Sequence, residues 1–158
     1  MTITRAEYVA LQAKVSAPIR EGWRDGVLTV WVPGTPANLK NKVGHWSKRA
    51  RWAKEWRERT ATCLWRLSGT RDYPWPWKAR DPKRVTFTVH GRSRFDSDNV
   101  ALVCSPCRDA LQDMKIIDND GNVAHRFLYE QAPPSRKAGS AYGIAIRIAL
   151  AGGQGGAG

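Results

Sequence analysis

With 158 residues the chain has the length of one domain, and 42% hydrophobic with 25% charged residues is the composition of a folded protein, which excludes wholesale disorder. Its 26 Lys and Arg against 14 Asp and Glu give a formal net charge of +12, a positive field suited to polyanions and above all to nucleic acid. No run approaches the roughly 18 apolar residues of a membrane span, the first residues lack the apolar core of a signal peptide, and Cys63, Cys104 and Cys107 are too few for a disulfide framework. These features predict a cytoplasmic protein without membrane contact.

Residues 4–14 can form a short helix, set apart by the turn-rich stretch "SAPIREGWRDG", so residues 1–24 are predicted to be an appendage. "GVLTVWVPG" alternates Leu28, Val30 and Val32 against Val27, Thr29 and Trp31 and stops at Pro33-Gly34, the pattern of a strand closed by a turn. A basic loop, "TPANLKNKVGH", follows. From Trp46 to Leu67, Ala53, Trp56, Thr60, Cys63, Leu64 and Leu67 recur at helical spacing. The opposite positions include Lys48, Arg49, Arg51, Lys54, Arg57 and Arg59, so one face should pack and the other should be strongly positive. Pro74 and Pro76 mark the next stretch as a loop.

"RVTFTVHG" alternates as a half-buried strand. A second helix is predicted to begin near Ser105-Pro106, because Ser favours the N-cap and Pro the first helical position. Two strands follow, "VAHRFLYEQ" and "YGIAIRIAL", which could pair as a hairpin, and residues 151–158 form a Gly-rich tail expected to be flexible. The expected fold is α/β (α+β): a single compact domain over residues 25–150, with a mixed sheet of about four strands and two main helices in the order β-α-β-α-β-β.

Six of the fourteen acids, Asp96, Asp98, Asp109, Asp113, Asp118 and Asp120, lie within residues 96–120, a negative hole in a positive field. In "RFDSDNV", Asp96 and Asp98 would point to one side if the backbone were still extended. Two converging carboxylates repel unless a cation sits between them, and hard oxygen ligands suit Mg²⁺. The same residues also suit a turn or a helix cap. "DNDGN" is first of all a turn signal. It lacks the Gly and Glu of a calcium loop, having Val123 and Tyr129 in those positions.

Four segments in order resemble the RusA family of Holliday-junction resolvases, especially its phage and prophage versions, over residues 27–130: "VWVPGTPANLKNK", "HWSKRARWAKEWRERT", "RSRFDSDN" and "RDALQDMKIIDND". The resemblance implies a homodimeric nuclease of bacterial cytoplasm that binds branched DNA and cuts it with Mg²⁺ or Mn²⁺, without an organic cofactor. It implies Asp96, Asp98 and Asp120 as metal ligands, with Asp109 as a further catalytic acid, while Asp118 can instead be a cap. DNA contacts would come from Lys40, Lys42, His45, Lys48, Arg49, Arg51, Lys54, Arg92 and Arg94.

One departure stands out. The family carries a catalytic Lys shortly after its D-x-D-N motif, where this chain has Leu102 and Ser105. Arg108 and Lys115 are the nearest substitutes; without one, the chain would be a junction-binding protein that cuts poorly or not at all.

Other features have plainer explanations. "CSPC" at residues 104–107 is a weak zinc signal, more simply small residues at a helix start. His90 and His125 read as ordinary strand residues. Of the eight Trp residues, Trp46 and Trp52, beside the basic positions, are the candidates for stacking on unpaired bases.

Overall fold

The chain turns first at Asp25-Gly26, where both residues have positive φ (51° and 78°). That is the backbone a two-residue hairpin demands, and Asp-Gly is a pair that adopts it readily. The turn joins β1 (Gly22–Arg24) to β2 (Val27–Pro33) in antiparallel register. These observations come from a computed structural model describing residue 4 and residues 19–37, 46–68 and 75–152, with side chains of the first helix described over 48–67. The predicted N-terminal helix falls outside these residues except for Thr4, as do residues 153–158 of the tail.

After β2 come α1 (Trp46–Ser68), β3 (Lys83–His90), α2 (Ser97–Asp113), β4 (Arg126–Gln131) and β5 (Gly143–Leu150). The five strands form one mixed sheet in the order β1-β2-β5-β3-β4. An α+β domain is therefore correct, with three adjustments. β1 adds a fifth strand from within the stretch assigned to an appendage, so the sheet begins at Gly22. The last two strands do not form a hairpin: β4 pairs parallel with β3, whereas β5 lies antiparallel between β2 and β3. β5 carries Ile144, Ile146 and Ile148 on one face, and the sheet centre is where that face is completely covered.

The third adjustment concerns α2, which starts at Ser97 and runs through Pro106 in its interior. An interior proline removes the donor for the carbonyl four residues earlier, here that of Leu102. The Ser105 hydroxyl donates to that carbonyl at 2.8 Å, which restores the bond and lets the helix continue. Ser-Pro, a helix-start signal in the sequence, is thus a repaired mid-helix joint.

Both helices pack on one face of the sheet. Trp56, Cys63 and Leu64 of α1 and Val100, Val103, Cys104, Cys107 and Leu111 of α2 form one core with Leu28, Val30, Val32, Val85, Phe87, Val89 and the β5 isoleucines. The predicted apolar face of α1 is the one that packs, with Ala53 and Leu67 half-buried at its margins. The alternate strand residues, among them Thr29, Thr86, Thr88 and Arg147, form the face away from these two helices. Among the described residues no helix is long and apolar enough to cross a membrane.

Candidate active site

The D-x-D-N segment is held from behind by β4. Phe95, buried just before it, donates its backbone N–H to Gln131 Oε1 at 2.7 Å, while Gln131 Nε2 donates to the Phe95 carbonyl at 2.6 Å. Gln131 had no signal in the sequence, since a lone Gln at a strand end belongs to no spacing pattern. The clamp sets the chain direction where β3 ends and α2 begins.

Asp96 is the N-cap of α2, with extended backbone (φ −64°, ψ 153°), and its carbonyl accepts from the N–H groups of Asn99 and Val100 at 3.0 Å. Its side chain makes no capping hydrogen bond. Asp98 lies in the first turn, where the positive end of the helix dipole favours a carboxylate, and it accepts from the Ser97 hydroxyl at 3.4 Å. The two acids are therefore not side by side on an extended strand, and the cap alternative describes the backbone correctly. Both carboxylates are exposed, whereas Asn99 is buried. Arg92 and Arg94, also exposed, precede them on the bend after β3.

The other acids lie elsewhere. Asp118 and Asp120 stand where β3 and β4 begin, the opposite end of β4 from the Phe95–Gln131 clamp, a strand length of about 17 Å. His125 is buried there, and its Nδ1 accepts from the Lys83 backbone N–H at 3.2 Å. That acceptor role leaves the proton on Nε2, which donates to Asp118 at 2.7 Å. The bond from His125, helped by Asn122 and the Asn119 N–H, holds the Asp118 carboxyl down at about 2. Asp118 is thus the cap of the turn, and its backbone N–H donates to Ala79 O. Beside it Lys83, fully buried, donates through Nζ to the carbonyls of Lys78, Ala79 and Asp81, and desolvation lowers its pKa.

Asp120 pairs with Arg108 (Nε to Oδ2, 3.6 Å). Arg108 also donates to the Tyr129 hydroxyl at 2.8 Å and lies over the Phe127 ring, which binds it to the α2–β4 packing. Ten residues of helix, about 15 Å, separate it from Asp98. Lys115 follows the end of α2 in the left-handed region (φ 59°), farther still. Both lie towards the opposite end of α2 from Asp96 and Asp98. Leu102, one helical turn beyond Asp98 and on the same side, is an exposed apolar residue there. Asp109 is about three turns along α2 from Asp98, and its charge contributes to the raised pKa of Arg57. Among the described residues no three His, Cys, Asp or Glu side chains converge to hold a metal ion.

Lys48, Arg49, Arg51 and Lys54 are exposed along α1, in keeping with a positive face. Two arginines drop out of that face. Arg57 makes a two-pronged pair with Asp113 of α2, and Arg59 lies over Trp56 and donates to Pro33 O at 3.2 Å. Gly34 has φ +142°, a backbone that favours glycine, and a Cβ there would also press on the Trp56 ring at 3.2 Å. Trp52 is half-buried and packs against Trp56 and the core. Lys40, Lys42, His45 and the side chain of Trp46 lie outside the described residues.

Cys104 and Cys107 are buried inside α2, not at its start. Burial raises both thiols, Cys107 to about 12, so they pack as neutral groups, and Cys107 accepts from the Thr60 hydroxyl at 3.3 Å. His90, at the end of β3, has its pKa lowered by burial and meets Trp31 edge-on at 5.1 Å. No protein-family model matches this sequence, and no curated protein matches it either.

Proposed function

We propose that the chain is a Mg²⁺- or Mn²⁺-dependent endodeoxyribonuclease that binds and cuts branched DNA, Holliday junctions included, in recombination and repair. It would act as a homodimer in bacterial cytoplasm, of phage or prophage origin, as the resemblance to the RusA family implies. The observation that carries this reading is the Asp96–Asp98 pair: two exposed carboxylates at a helix start, on a clamped backbone, directly after Arg92 and Arg94.

Mg²⁺ is commonly held by one or two carboxylates together with water and a substrate phosphate. Asp96, Asp98 and a DNA phosphate supply that donor set, and Asp96 does not spend its carboxylate on the cap. Bound there, the ion would polarise the phosphodiester and lower the pKa of an attacking water. Arg92 and Arg94 would draw the backbone towards the carboxylates, and Lys48, Arg49, Arg51 and Lys54 would hold it along α1. The helix start favours negative charge at both positions. Asp120 is engaged by Arg108 at the far end of β4. It would join the pair only from a second copy of the chain, and a homodimer offers that as well as two related sites for a twofold substrate.

Junction cleavage under a Mg²⁺ titration tests the proposal. Paired nicks with Mg²⁺, none with EDTA, and none from Asp98→Asn are expected; equal cleavage by wild type and Asp98→Asn would sink it. A second reading, DNA binding without cutting, is favoured by Leu102 and Ser105, since Ser105 is occupied in repairing the helix at Pro106. It predicts salt-sensitive binding and no metal-dependent product.

A further inference from the structure

The face of the sheet away from the two described helices carries its own charge pattern, set by strand register. Arg24 of β1 pairs with Val27, and Arg84 of β3 pairs with Ala149 on one side and Arg126 of β4 on the other. The β2–β5 register, continued by one residue, sets Val27 opposite Ala149. Arg24, Val27, Ala149, Arg84 and Arg126 therefore form one row across all five strands. In the next row, Arg147 of β5 stands between Thr29 and Thr86. Side chains alternate faces along a strand, and Leu28, Val85 and Ile148 are core residues, so this row points away from the helices. Arg24, Arg126 and Arg147 are exposed and Arg84 is half-buried.

We propose that these four arginines form a second DNA-backbone site, which takes duplex DNA on the face and at the end of the sheet away from Asp96 and Asp98. The inference rests on the DNA-binding part of the function proposed above and adds where an arm of the substrate would lie.

Charge complementarity favours nucleic acid over a protein layer. Among the described strands the sole acid is Glu130, two rows from Arg84 and Arg126 and one from Arg147, and hydrogen-bonded to Thr88 at 3.3 Å. A packed protein layer would need apolar cover, yet in these two rows Leu128 is the one exposed large apolar side chain among the described residues. Four strand spacings make the row about 19 Å long. That is roughly half of a ~34 Å duplex turn, a span over which one groove face stays turned towards a flat surface. Arginine suits phosphate because its planar fork donates two bonds at once. The flanking threonines can donate to phosphate oxygens as well.

The test is binding of a fluorescent duplex and a four-way junction by the full chain across a salt series, with EDTA present to prevent cutting. Each phosphate contact contributes about 0.9 to the slope of log affinity against log salt. The triple variant Arg84→Thr, Arg126→Thr, Arg147→Thr, which places good strand formers in the sheet, is expected to flatten the slope by about 2.7 units. It is also expected to lower duplex affinity at least tenfold. Should the triple variant fail to fold, the single exposed variants Arg126→Thr and Arg147→Thr are each expected to flatten the slope by about one. A wild-type slope in folded variants overturns this site while leaving DNA binding through α1 standing. Absence of DNA binding by the wild-type chain at low salt overturns the proposed function, and this site with it.

Discussion

The Ser105 hydroxyl donates a 2.8 Å hydrogen bond to the Leu102 carbonyl, the acceptor that Pro106 cannot serve. Both residues occupy places where the resembled family carries a catalytic lysine, and both are explained by the helix. Leu102 is exposed on the side of α2 that also carries Asp98. Leu102→Lys therefore changes stability by no more than about 0.5 kcal/mol, as at other exposed sites. If the missing cation limits cutting, the variant raises junction cleavage tenfold or more, approaching the roughly 10²-fold worth of one stabilising group. Single-turnover cleavage rates measure this, and an unchanged rate would show that the cation is not what is lacking.

Ser105→Ala takes away the repair at Pro106. Loss of one hydrogen bond in a part-exposed place is expected to cost about 1 kcal/mol in chemical denaturation. Ser105→Thr, which keeps the hydroxyl, should restore most of it. Equal stability of the wild-type and Ala forms would contradict the role given to Ser105.

The Gln131 clamp uses both an acceptor and a donor on Phe95. Gln131→Glu retains the first and loses the second, setting a carboxylate against the Phe95 carbonyl, and is expected to destabilise by about 1–3 kcal/mol. Because the clamp aims Asp96 and Asp98 rather than touching DNA, cleavage should fall with little change in junction affinity. Parallel loss of both would indicate general unfolding.

The Arg57–Asp113 pair joins α1 to α2 at 2.6 Å and holds the Asp113 carboxyl below its ordinary value of 3.8. A depressed carboxyl stabilises the fold above its unfolded pKa, and that stabilisation disappears as pH falls through the folded one. The pair is largely solvent-exposed, so its worth is at most about 1 kcal/mol and should shrink with salt. The stability gap between wild type and Asp113→Asn is expected to hold steady above pH ~5 and to close as pH drops below 3.8. A gap that persists in acid, followed by denaturant midpoints, would rule out ion pairing as its source.

Period-two alternation in "GVLTVWVPG", "RVTFTVHG" and "YGIAIRIAL" and the three-and-four spacing from Ala53 to Leu67 determined β2, β3, β5 and the buried face of α1 from sequence alone. Those patterns record which side of each element is apolar, a local property. The Asp25-Gly26 hairpin was missed in the sequence, although the rule that recognises Asp-Gly at Gly121 applies equally there. The exposed cationic face of α1 and the Asp96–Asp98 pair at the head of α2 could be read as residues, but not as a site. Only the tertiary structure decided that β5 enters between β2 and β3, that α2 continues through Pro106, and that Arg108 is taken by Asp120 and Tyr129. Each of these depends on contacts between segments distant in the chain, whose energies have no period and leave no local mark. The distance between Asp98 and Asp120 belongs with them, because it is set by the path of α2 and the length of β4 rather than by the residues that carry the charge.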